Sequence, residues 1–301
     1  MDFRNSPAMA IRNEGDMPMS APDSSNHASQ DLRDFSGRIL LVGAGKMGTA
    51  LLEGWLRLGL EPKNVAVLEP TPSPQIAALA EQGLRLNTDA RAAGEFAAIV
   101  LAVKPQIAAE AIAPLAPSVG TSSLVVSIMA GRTLKFLAAS FGAPCALVRA
   151  MPNTPAAIGR GITVAVPSRT SGAQQDLAQR LLSATGAVEW IEDEALMDAV
   201  TAVSGSGPAY VFLLAEALAQ AGVAAGLPAN LAAKLARDTV AGSGELLHLS
   251  PLDAATLRTN VTSPGGTTAA ALEVLMGGNG LAPLMERAVA AATARSRQLA
   301  G

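Results

Sequence analysis

The 301-residue chain has one cysteine, two histidines and few aromatics, with Phe, Trp and Tyr together only 3% of it. A single thiol, Cys145, excludes an intrachain disulfide framework and any cysteine cluster for zinc or iron–sulfur. Its plain reading is a small buried apolar residue. His27 and His248 lie far apart, and neither belongs to a metal-binding pattern. No metal site is expected, and a His–Asp relay would have only His248 to draw on. An excess of one charge is also missing: 22 Lys and Arg against 25 Asp and Glu give −3, with no basic run interleaved with aromatics. Nucleic acid and an anionic membrane are therefore not expected as partners. Apolar runs reach about 10 residues, short of the roughly 20 that span a bilayer. The first 34 residues contain no continuous apolar segment of the secretory kind. A soluble cytoplasmic protein is the expectation.

What the chain does have is length, alanine and glycine. Half of it is hydrophobic, enough for two domains with close helix packing. Residues 1–36, scattered with Pro, Ser and Asn, read as a disordered tail. Residues 37–191 alternate short apolar runs with helical patterns: "RILLV", "NVAVLEP", "FAAIVLAVKP", "SLVVSIMAG", "CALVRAMPNTP" and "GITVAV" as strands, with helices after the first, second and last. Runs without strict alternation predict a parallel sheet covered on both faces. Residues 192–301 read as helices only, over about 194–202, 208–221, 228–241, 251–260, 266–275 and 281–299. The fold class expected is thus an α/β Rossmann-type N-terminal domain followed by an all-α C-terminal domain, whose apolar faces suit a homodimer.

Gly43, Gly45 and Gly48 form GxGxxG between the first strand and its helix. Gly43 allows the tight turn, Gly45 leaves room for a pyrophosphate, and Gly48 brings the helix close to the sheet. Glu69 ends the second strand, roughly 20 residues on, where a carboxylate can meet an adenosine ribose hydroxyl; the alternative is a solvent-facing strand cap. That position favours NADH, whereas Thr71 and Ser73 in the following "PTPSP" could donate to the 2′-phosphate of NADPH. Val103 and Lys104, in "AVKPQ" at the end of the third strand, face the crevice or, for Lys104, open solvent. "MPNTP" holds Pro152 and Asn153 in a restrained turn that is either a nicotinamide contact or structural. "VTSPGGTT", between two helices, is either an interhelical turn or an anion cradle in which Gly265 and Gly266 expose donors at a helix start.

Together "GAGKMG", "AVKPQ", "MPNTPA", "SGSGPAY" and "VTSPGGTT" occur in an order that resembles the pyrroline-5-carboxylate reductase family, across nearly the whole chain beyond the tail. The resemblance implies NADPH- or NADH-dependent reduction of L-1-pyrroline-5-carboxylate to L-proline. It also implies a homodimer with active sites at the interface, and pentamers of dimers occur in the family. Carried over residue by residue, it puts the substrate on Val261, Ser263, Gly265, Gly266, Thr267 and Thr268, with the Thr268 hydroxyl orienting the imine nitrogen or relaying its proton. Lys46, Met47 and the glycine-loop amides would hold cofactor phosphates, while Met129, Pro152 and Asn153 would face the nicotinamide. Tyr210 is read as packing or pocket wall. Two departures stand: Glu69 precedes "PTPSP" where many NADPH-preferring relatives have an uncharged strand end, and Thr259 replaces a common Asp. The alternatives are a β-hydroxyacid-type dehydrogenase, for which Lys234 would be the helical domain's lone lysine, and a non-catalytic nucleotide-binding dimer.

Overall fold

In the computed structural model, described over residues 31–88, 95–120, 122–142 and 145–300, the first strand β1 (Ile39–Val42) lies inside an eight-stranded sheet, third from one edge. β1 pairs in parallel with β2 (Val65–Leu68) on one side and β4 (Ala98–Leu101) on the other. The order is β3-β2-β1-β4-β5-β6-β7-β8, with β3 at Arg85–Leu86, β5 at Leu124–Ser127, β6 at Ala146–Met151, β7 at Gly161–Ser168 and β8 at Gly186–Trp190. Strand order reverses between β1 and β4, so a crevice opens there at the strands' carboxyl ends.

The unbroken apolar run of β1 follows from burial on both faces. Ile39 and Leu41 pack with Leu51, Leu52 and Trp55 of α1 (Lys46–Arg57) and with Leu181 and Leu182 of α5 (Gly172–Ser183). Leu40 and Val42 pack on the opposite face with Ile112 of α3 (Ala108–Ile112) and with Leu137 and Phe141 of α4 (Leu134–Phe141). The Trp55 indole donates to the Leu181 carbonyl at 2.8 Å, joining α1 to α5. α2 (Pro74–Ala80) closes the β2 side through buried Ile76.

Two differences from the sequence reading concern the sheet. β7 runs antiparallel to β6, because the connection 152–160 holds only a 3-10 turn and is shorter than the dozen or so residues a parallel crossover needs. Two short edge strands, β3 and β8, were not read as strands at all. A third difference concerns the tail: Leu32 is fully buried in the α1 and α5 core, and its N–H donates to the Leu58 carbonyl at 2.9 Å, so part of the 1–36 segment is packed. The remainder of that expectation, residues 1–30, lies outside the described residues.

Beyond the sheet come helices only. α6 (Met197–Val200), a π turn (Thr201–Gly205) and α7 (Gly207–Ala224) make one rod, where two separate helices were expected. α8 (Ala229–Leu249) runs back along it past Gly242 and Gly244, longer than expected. α9 (Ala254–Asn260), α10 (Thr267–Leu275) and α11 (Leu281–Ala300) follow. α11 returns to the rod, where the Ser296 hydroxyl donates to the Asp198 carboxylate at 2.7 Å. Helices α7 to α10 have little core of their own: Phe212, Leu213, Leu249 and Val274 are between 62% and 75% exposed. By length and composition alone, the rod from Glu194 to Ala224 could cross a membrane.

Candidate active site

The glycine turn forms because two of its residues leave no room for a side chain. Gly43 has φ +92°, and a Cβ there would lie 2.8 Å from the Ala102 carbonyl oxygen; one on Gly48 would lie 2.2 Å from the Gly43 oxygen. Gly45 is the opposite case, with nothing within 4 Å of the place its Cβ would take. Gly45 caps α1, Lys46 is its first residue, and both are exposed, while Met47 is half-buried. The first-turn N–H groups of α1 therefore open onto an empty, exposed position at a positive helix end.

Glu69 follows β2 and folds back across this turn. Its Oε2 accepts from the Ala44 N–H at 2.8 Å and its Oε1 from the Thr71 N–H at 3.1 Å. Asn87 holds the same residue from the backbone side: its Oδ1 accepts from the Glu69 N–H and its Nδ2 donates to the Glu69 carbonyl, both at 2.9 Å. Ser73, considered above as a phosphate donor, uses its hydroxyl to accept from the Ile76 N–H at 3.3 Å as the N-cap of α2.

Three further loops meet at this edge. Val103 packs against Gly43, bringing "AVKPQ" beside the glycine turn, while Lys104 stays exposed. Arg132, after β5, donates through Nε and Nη2 to the Pro105 carbonyl at 2.9 and 2.6 Å and stacks on Phe136, 4.7 Å from the ring centroid. The exits of β4 and β5 are thus tied together. Met129 is 2% exposed, and its side chain belongs to the core under α3 and α4. Pro152 and Asn153 are buried after β6, and the Asn153 Oδ1 accepts from the Ile162 N–H at 2.9 Å, pinning the turn into β7. "SGSGPAY" reaches the same place, since a Cβ on Gly205 would lie 2.6 Å from the Met151 methyl. The Tyr210 hydroxyl donates to the Ala202 carbonyl at 3.1 Å inside the π turn, a packing role.

"VTSPGGTT" is not brought into this group within one chain. Val261, Ser263, Gly265 and Thr267 are exposed, and the hydrogen bonds described for residues 250–280 are all local. Gly265 has φ +67°, as the tight turn demands. The Gly266 N–H is already given to the Ser263 carbonyl at 3.0 Å, so Gly266 is not the free donor expected of it. The donors are one step later: Thr267 and Thr268 begin α10, and a helix's first N–H groups have no intrahelical acceptor.

A cavity of about 1120 Å³ lies elsewhere, and none of the expected site residues lines it. It is an apolar groove between the turn after β6 (Pro155, Ile158, Arg160) and the outer faces of α7 and α8. Arg160 spans its mouth, hydrogen-bonded to His248 and paired with Glu245 at 2.9 Å. Lys234, the lysine the dehydrogenase alternative would need, is 73% exposed and paired with Asp238. Cys145 is buried, and burial pushes its thiol pKa up. The Arg149–Glu194 pair, 2.7 Å across, joins β6 to the first helical turn after the sheet, and Glu194 also accepts from the Leu134 N–H at 2.8 Å. The sequence reading missed Asn87, Arg132 and the Arg149–Glu194 pair; a lone arginine just after the "SIMAG" strand was the one available signal.

Comparison with known proteins places these features in one family. Residues 194–299 match the family model for pyrroline-5-carboxylate reductase dimerisation, and residues 38–131 match that for NADP oxidoreductase, coenzyme F420-dependent. A pyrroline-5-carboxylate reductase of Pseudomonas aeruginosa is 39% identical over 265 residues, covering 87% of this chain and 97% of that protein. The solved structure of a pyrroline-5-carboxylate reductase from Coxiella burnetii aligns with a TM-score of 0.81 at 32% identity, over 87% of this chain and 98% of that one. A Plasmodium falciparum pyrroline carboxylate reductase with NADP bound aligns with a TM-score of 0.74 at 30% identity, over 88% and 99%. These relatives are 30% or more identical and matched almost end to end, and the chain belongs to the pyrroline-5-carboxylate reductase family.

Proposed function

We propose that this chain reduces L-1-pyrroline-5-carboxylate to L-proline with NADPH or NADH at a site that two copies of the chain complete. The observation that carries the cofactor half is the open position at Gly45 between two glycines that admit no Cβ. The turn residues Gly43 to Gly48, with Lys46 and Met47, hold the pyrophosphate through N–H groups at the start of α1. Val103, Lys104, Pro152 and Asn153 border the nicotinamide at the sheet's carboxyl edge, and Met129 supports that border from the core. When bound, the cofactor supplies the hydride. The N–H groups of Thr267 and Thr268 at the start of α10 receive the substrate carboxylate, with Val261, Ser263, Gly265 and Gly266 shaping the turn around it. The Thr268 hydroxyl orients the imine nitrogen. It is too weak an acid to drive protonation alone, so the substrate enters already protonated and the chain contributes alignment and exclusion of water.

A second copy supplies what one copy lacks. The exposed apolar faces of α7, α8 and α10 suit a protein partner, and the matching dimerisation model supports burying the Glu194–Ala224 rod in a dimer rather than in lipid. Assembly into pentamers of dimers, a cytoplasmic location, and a division into units at 37–191 and 192–301 belong to the same reading.

Initial rates with 1-pyrroline-5-carboxylate, run separately with NADH and NADPH, test the reaction; no rate above background with either would sink it. Thr268→Ala tests the site: turnover should fall far more than cofactor affinity, and unchanged turnover removes Thr268 from the chemistry.

A further inference from the structure

Cofactor choice in this family reading depends on what the adenosine ribose meets at the end of β2, and here it meets a carboxylate that is held rather than free. β3 is only two residues long and pairs Ala66 with Arg85 and Val67 with Leu86. Asn87 then leaves the strand with φ +52°, in the left-handed region that Asn tolerates better than most residues. Its N–H still donates to the Val67 carbonyl at 2.8 Å. Its side-chain amide takes over the ladder that the backbone has abandoned, giving Glu69 one acceptor and one donor. Backbone position and carboxylate are therefore fixed together: Asn87 grips Glu69 on the outside while the N–H groups of Ala44 and Thr71 take one lone pair from each carboxylate oxygen.

Each carboxylate oxygen has a second lone pair. Two such acceptors side by side suit the two hydroxyls of an unmodified ribose, and their charge opposes a 2′-phosphate. Residues 70–84 contain no lysine or arginine to offset that charge; the Ser73 hydroxyl caps α2 as an acceptor and keeps its own hydrogen, a neutral donor that does not cancel a carboxylate's charge. The family does not fix this choice by itself, since the Plasmodium falciparum relative was solved with NADP bound.

We infer that Asn87 is a positioning residue for cofactor selection: by bracketing the backbone of Glu69 it holds the carboxylate across the glycine turn, and the pocket so formed takes NADH in preference to NADPH. The inference rests on the reductase reading only for its kinetic readout.

The test compares the full-length protein with Asn87→Gly and Glu69→Gln. Glycine adopts the left-handed backbone at no steric cost, so Asn87→Gly removes the two side-chain bonds and leaves the turn. kcat/KM with 1-pyrroline-5-carboxylate is measured for both cofactors, and each cofactor is also titrated directly by its own fluorescence without substrate. Wild type should favour NADH. Asn87→Gly should lower the NADH-to-NADPH ratio by roughly tenfold, about 1.4 kcal/mol, through KM for NADH with kcat retained, and Glu69→Gln should lower it further. A residue that only stabilised the fold would weaken both cofactors equally, and that outcome overturns the inference, as does a wild-type preference for NADPH. Absence of turnover with both cofactors would refute the reaction alone, because the directly titrated ratio still reports the pocket.

Discussion

Gly45→Ala separates the fold of the glycine turn from its use. The residue has φ −69° and ψ −168°, extended backbone open to any amino acid, and the added methyl meets no atom within 4 Å. Two small stability effects oppose each other. Alanine is a poorer helix cap than glycine by up to about 1 kcal/mol, and it stabilises through the unfolded chain by about 0.4–1 kcal/mol. The net should be near zero, with an apparent Tm close to wild type. Cofactor binding should behave differently, because the methyl occupies the space left for the pyrophosphate. Losing one charge-assisted hydrogen bond from the start of α1 costs about 1.5–3 kcal/mol, a weakening of roughly 10- to 100-fold. Gly48→Ala is the control: its Cβ would sit 2.2 Å from the Gly43 carbonyl oxygen, so backbone must move. Such overpacking costs about 1–3 kcal/mol or more. Thermal melts paired with titration of NADH and NADPH distinguish the two variants. If Gly45→Ala binds both cofactors as wild type does, the open position is not a phosphate seat and the reasoning is wrong.

Phe212→Glu places a charge on a residue 69% exposed in one copy; light scattering should show loss of the dimer and activity should fall with it, while a dimer that survives would mean another face joins the copies. Glu194→Gln leaves the Arg149 side chain, 6% exposed, without its charged partner. With Glu194 itself 28% exposed, the cost should be about 1–3 kcal/mol rather than the full buried-pair value, read from urea midpoints; an unmoved midpoint rules out the link between sheet and helices. Asp253 caps α9, and the Thr256 N–H it accepts at 2.7 Å holds its carboxyl below the ordinary 3.8. A lowered folded pKa contributes stability above the unfolded value and loses it as pH falls through the folded one. Asp253→Asn should therefore flatten the decline in Tm as pH falls below about 4, and an unchanged decline would show that the cap carboxyl has the same pKa folded and unfolded.

Local features were legible in the sequence and distant partners were not. The glycine turn could be read because its strand, turn and helix are consecutive and its glycine spacing is local, even though the Gly43 side-chain space is closed by Ala102 on a distant strand exit. The direction of β7 could not, because it depends on a connector too short to cross the sheet. Asn87 gave no signal, since its role is to finish the ladder of a two-residue edge strand against a residue 18 positions back. Arg149 and Glu194 lie 45 apart, and nothing around either announces the other. At Gly266 the right element was read with the wrong donor: the pattern marks a helix start, but only the turn geometry shows that its N–H closes onto Ser263.

In the proposed site, the position of that helix start also makes one chain an incomplete catalyst. The N–H groups opening α10 are solvated in a single copy, and in water a carboxylate gains little there, because unit charges 4 Å apart interact by only about 1 kcal/mol at the dielectric of bulk solvent. The same donors gain strength once a protein surface displaces the water. The cofactor edge, with its buried Asn153 and the loops tied by Arg132, is such a surface, but no hydrogen bond described here joins it to α9 or α10 of its own chain. Burying the apolar faces of α7 and α8 against a second copy would bring the two halves together and dry the donors in one step. Association and substrate affinity should then rise and fall together as protein concentration is varied through the dimer Kd, whereas affinity for the cofactor should not.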